Sequence, residues 1–165
     1  MKSGVTVLRR ARSNRKNLHM EFFDTESRFK LTIHNYQFTH GKASQEKWDA
    51  NWLRVYIDIT TPMGHWKSYD PCILTWEVQQ LFEWLLLIAD QKGPDDISFL
   101  EPNLAFHFYG ATDGIYHIGA KFEQEWKPRW AENDPSYTVY FSIPKEQLLA
   151  AADSLREYLA KFPPR

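Results

Sequence analysis

The sequence predicts an α+β fold: mainly antiparallel, curved sheet in the order strands, helix, strands, helix, with two amphipathic helices packed on the sheet. Three observations predict it. Five segments after residue 20 alternate apolar and polar residues with the strand period of two. Two longer segments switch to the three-and-four spacing of a helix. Each helical segment follows a group of strands instead of alternating with every strand, which argues against a doubly wound parallel sheet. The order has the form of a duplication, without a sequence repeat between the halves.

The first strand has Phe29, Leu31 and Ile33 on its apolar phase, with Lys30, Thr32 and His34 opposite. The second sets Leu53, Val55, Ile57 and Ile59 against Arg54, Tyr56, Asp58 and Thr60, and Pro62-Met63-Gly64 then turns the chain. The first helical stripe runs through Leu74, Val78, Leu81, Phe82, Leu85, Ile88 and Ala89, with Gly93-Pro94 as its expected end. Three more strands follow, with Leu104, Phe106 and Phe108, then Tyr116, Ile118, Ala120 and Phe122, then Tyr137, Val139, Phe141 and Ile143 pointing inward. Ala111-Thr112-Asp113-Gly114 supplies a hairpin between the first two of these. The last helix starts at Pro144, which fits the first helical position, and buries Leu148, Ala152, Leu155, Leu159 and Phe162 until Pro163-Pro164 stops it.

With 165 residues, of which 43% are hydrophobic and 16% aromatic, the chain has material for one core, and no linker divides the region 20–165. The longest apolar run, Trp84 to Ala89, falls far short of the roughly 18 residues that span a bilayer. No apolar segment follows the basic N-terminus in the manner of a secretory signal. Cys72 is the single cysteine, so neither an internal disulfide nor a CxxC metal or redox pair can form. A cytoplasmic location is the expectation. Residues 1–19 carry six basic and no acidic side chains and read as a basic, flexible extension. Residues 20–165 then hold 14 basic against 21 acidic residues, an acidic body. No aromatic ring is interleaved with the leader's charges, so direct nucleic-acid binding is not expected.

Catalytic patterns are missing. The sequence has no GxGxxG, GxxxxGK[ST], GxSxG or HExxH. Cys72 lies in an apolar context that suits a small hydrophobe better than a thiolate nucleophile. His34, His107 and His117 share the outward phase of their strands, but no Cys, Asp or Glu stands beside them at metal-ligand spacing, so neither a metal nor another cofactor is expected. The outward phase is nonetheless unusually rich in Tyr and His, with Tyr56, Tyr109 and Tyr140 added to the three histidines. That face suits protein docking, with a small-ligand-binding or enzymatic face as the alternative.

Four phrases stand apart from this patterning: Trp48-Asp49-Ala50-Asn51-Trp52-Leu53, Asp70-Pro71-Cys72-Ile73-Leu74-Thr75-Trp76-Glu77, Phe99-Leu100-Glu101-Pro102-Asn103-Leu104, and Phe162-Pro163-Pro164-Arg165. In this order and at these separations the chain from Met20 to Arg165 resembles the WapI-type immunity proteins of bacterial polymorphic toxin systems. The resemblance implies a non-enzymatic cytoplasmic antitoxin that binds and blocks the C-terminal toxin domain, often a nuclease, of a cognate contact-delivered protein. The phrases look architectural, so the contact surface is expected at charged and tyrosine positions elsewhere. The candidates are Glu46, Asp49, Asp95, Asp96, Glu123, Glu125, Tyr56 and Tyr109. Oligomeric state is left open.

Overall fold

The computed structural model describes residues 17–39 and 47–165. It contains two four-stranded antiparallel sheets, each a meander. The first sheet orders β1 (Met20–Phe23), β2 (Arg28–Tyr36), β3 (Trp52–Thr61) and β4 (Gly64–Leu74). The second orders β5 (Ile97–Ser98), β6 (Leu104–Thr112), β7 (Ile115–Phe122) and β8 (Tyr137–Pro144). Each sheet leads without a loop into a long helix: β4 into α2 (Thr75–Ala89), β8 into α3 (Lys145–Lys161). A short helix α1 (Lys47–Asn51) precedes β3. The two halves therefore share one architecture although their sequences do not repeat.

The inward phases expected from the sequence are the buried ones: Phe29, Leu31 and Ile33 on β2, and Leu53, Val55, Ile57 and Ile59 on β3, are 2% exposed or less. These faces meet those of the second sheet through aromatic contacts. Phe22 and Phe29 lie 6.0 Å and 5.6 Å from Phe106, Phe29 lies 6.0 Å from Phe122, and Trp66 lies 5.4 Å from Phe122. Edge-to-face geometry recurs among these pairs, as ring quadrupoles favour. The buried sides of α2 and α3 join the same core, and the helices pack on one another, with α3 also against β1. The outward faces of both sheets stay open.

The structure corrects several of the expected elements, the start of the last helix among them: Pro144 ends β8 and α3 begins at Lys145. Three strands, β1, β4 and β5, join the five expected. β1 and β5 are too short to show a period, and the inward phase of the first half of β4 is Gly64, Trp66 and Ser68, in which Trp66 alone is apolar. Leu74 ends β4 instead of opening the helical stripe, and Asp70-Pro71 lies within that strand instead of turning into the helix. Pro71 is tolerated because β4 is an edge strand and its pairing with β3 slips at this point. α2 stops at Ala89, before Gly93: Gln91 takes φ 58°, Lys92 N donates to Leu87 O, and the pair closes a Schellman turn without glycine. Within α2, Trp84 is buried at 5% exposure while Phe82 is only half-buried. The Asp113-Gly114 hairpin is as expected, with both residues at positive φ in a two-residue turn.

The first sheet's free edge at β1 is blunted by a side chain. Gln147 of α3 accepts from Phe23 N and donates to Phe23 O, replacing the strand that would otherwise pair there.

Candidate functional site

The outward Tyr and His residues do not form one face. The two sheets meet by their inner sides, so their outward residues make two separate surfaces.

On the first sheet, His34 stacks on Tyr56 at 5.9 Å and meets Tyr69 at a tilt at 5.3 Å. Tyr56 stands directly across from Tyr69, and Asp58 from Lys67. Asp58 also receives His65 at 2.7 Å, and Lys67 lies over the Tyr56 ring. Hydrogen bonding to Tyr56, then the Asp58 carboxylate, raise the pKa of Lys67 above its ordinary value. Half of this surface comes from β4, so the sequence reading missed His65, Lys67 and Tyr69. The alternation of His65, Lys67 and Tyr69 after Pro62-Met63 was the available signal.

On the second sheet, Tyr109 and Tyr140 are 56% and 63% exposed and lie 5.7 Å apart. Between their strands sits Gly119. A Cβ there would come within 3.0 Å of the Tyr109 ring and 3.1 Å of Thr138, so Tyr109 lies flat in the space that glycine leaves. His107 packs 6.2 Å from Tyr109, and its Nδ1 is 2.7 Å from Asp96 Oδ2. His117 instead meets Ser142 across the β7–β8 pair at 3.0 Å. The histidines thus have separate partners, and His34 lies on the other sheet. Among the described residues no group of three or more His, Cys, Asp or Glu side chains converges as metal ligands would.

The acidic candidates scatter. Asp96 joins Tyr109 on the second sheet's face. Its neighbour Asp95 is fixed by its backbone carbonyl, which accepts from Trp84 Nε1. Glu123 pairs with Lys121 at 2.5 Å, and Glu125 accepts from Asn103 Nδ2. Asp49 lies half-buried on α1, Tyr56 is on the first sheet, and Glu46 lies outside the described residues, as does the basic leader up to residue 16. Cys72 is buried, and burial pushes its thiol pKa far up, which suits a packing role. No helix among the described residues is long and apolar enough to cross a membrane.

The WapI-like immunity protein family matches residues 20–163 of this sequence. The chain belongs to that family. Its four distinctive phrases form two hydrogen-bonded locks. In the first, the fully buried Asn51 accepts from Thr75 Oγ1 at 2.8 Å and from Arg165 N at 2.8 Å, and donates to Arg165 O. The Arg165 guanidinium lies 3.4 Å from the centre of the Tyr36 ring, whose hydroxyl donates to Pro163 O. In the second, Glu77 accepts from Leu74 N at 2.9 Å and from Leu100 N at 2.6 Å. In this chain the phrases are bonded to one another. No curated protein matches the sequence. Among solved structures, the chain is similar to the plant transcriptional regulator PBF-2 at 7% identity, with 87% of this chain and 80% of that one covered and a TM-score of 0.49.

Proposed function

We propose that this chain is an immunity protein that binds and neutralises the C-terminal toxin domain of a cognate contact-delivered bacterial toxin, and that it acts in the cytoplasm as a binding protein with no catalysis of its own. The observation that carries the reading is the family match over residues 20–163. A nuclease is the expected toxin class. The acidic body, 14 basic against 21 acidic residues after position 19, supports it, because a nucleic-acid-cleaving surface is basic and opposite charge accelerates encounter. The contact is drawn from the acidic and tyrosine candidates named above.

The test is a search of the neighbouring genes for a large secreted protein and co-purification of the full chain with that protein's C-terminal domain, followed by assay of that domain's toxicity and nuclease activity. A stable complex and loss of toxicity at equimolar chain are expected. Toxicity that persists with the chain in excess removes the reading.

A further inference from the structure

The two open faces differ in charge. The first sheet's face carries Arg28, Lys30, Arg54 and Lys67 against Glu21 and Asp58. The second carries Lys121, already paired with Glu123, and at the Tyr109 end only Asp96, with Asp95 next to it.

The second face is also pre-set for contact. Glycine inside a strand weakens the sheet, since it packs nothing and loses more entropy on folding. What Gly119 provides in return is a slot that holds Tyr109 flat beside Tyr140. His107, fixed by Asp96, packs along the other side of the Tyr109 ring. Two exposed rings held in place lose little entropy on binding. Their faces, next to an exposed carboxylate, match an arginine or lysine, which takes the ring by cation–π contact and the carboxylate by charge.

We infer that the Tyr109–Tyr140 platform, with Asp96 at its edge, is the surface that docks the toxin domain, through a basic patch on that partner. This rests on the immunity reading above. It selects Asp96 and Tyr109 from the wider candidates and adds Tyr140 and His107.

The experiment measures affinity of the full chain and its variants for the cognate toxin domain identified by the co-purification above. Tyr109→Ser with Tyr140→Ser is expected to weaken binding by about 30-fold or more, as loss of central aromatic anchors does. Asp96→Asn should weaken it by about 10-fold and flatten its salt dependence. Gly119→Ala, whose Cβ crowds Tyr109 and Thr138 and forces them to give, should weaken binding while far-UV circular dichroism and melting stay near those of the unmodified chain. Tyr69→Ser, on the opposite face, should bind as the unmodified chain does. The inference is overturned, with the immunity reading intact, if the unmodified chain binds and the double tyrosine variant binds equally well, or if Tyr69→Ser is the variant that fails. It is also overturned if the tyrosine variants only dissociate a homodimer, which would make the platform a self-contact. If the unmodified chain does not bind the toxin domain at all, both fall.

Discussion

At the scale of single residues, the most informative side chain is Glu77. It is 5% exposed, and burial raises its carboxyl pKa above the ordinary 4.5, an effect offset in part by the N–H groups of Leu74 and Leu100. A carboxyl with a raised folded pKa stabilises the fold below its unfolded value, and that contribution is lost as pH rises through the folded value. The advantage of the unmodified chain over Glu77→Gln should therefore shrink as pH rises from about 4.5 toward neutrality. At neutral pH, Glu77→Gln should still cost about 1–2 kcal/mol, because Leu74 N and Leu100 N bond to different carboxylate oxygens and the amide nitrogen that replaces one of them cannot accept. Urea unfolding of both proteins across that range measures it; an advantage that grows with pH would show that the two hydrogen bonds outweigh desolvation. Cys72 makes a simpler case. Its thiol is 1% exposed and held protonated, so a thiol reagent should leave it untouched in the native protein and label it on denaturation.

At the scale of elements, Asn51 does what no single strand does: it joins α1, the first residue of α2 and the C-terminal Arg165. Its removal leaves Thr75 Oγ1 without its acceptor in a buried place and takes the acceptor from Arg165 N as well. Asn51→Ala should cost about 2–4 kcal/mol and, more specifically, release the last residues from α1 and β2. Amide exchange at Arg165 is the direct readout; protection there unchanged from the parent would show that Tyr36 and Phe162 hold the segment alone. The same element scale explains what was legible in the sequence. Residues on β2, β3, β6, β7 and β8 announced themselves because each has one wholly apolar phase facing the core. β4 did not, because Trp66 does for it what three aliphatic residues do for β3. The end of α2 was misplaced because Gln91 adopts the left-handed backbone that glycine normally signals. The candidate surface was half legible: Tyr109 and Asp96 could be named from phase and charge, but only the folded structure reveals that the Tyr109 ring reaches diagonally over Gly119, whose partner in the register is His107.

At the scale of the molecule, each half has the order four strands then a long helix, which invites the view of two units side by side. The core argues otherwise. Phe22, Phe29 and Trp66 of the first half find their ring partners on Phe106, Phe122, Phe141 and Tyr137 of the second, and Trp84 of α2 packs on Phe106. α3, from the second half, lies on β1 and covers its free edge with Gln147. Either half alone would expose the aromatic face of its sheet to water, at about 25 cal/mol for each Å² left uncovered. Chemical unfolding should therefore give a single transition, with tryptophan fluorescence and far-UV circular dichroism coinciding, although the tryptophans are spread over both halves. A fragment of residues 1–96 should fail to give the dispersed amide spectrum of a folded protein. Two separated transitions, or a folded fragment, would show that the shared order reflects two autonomous units; one transition shows that neither half is complete until the rings of the other cover it.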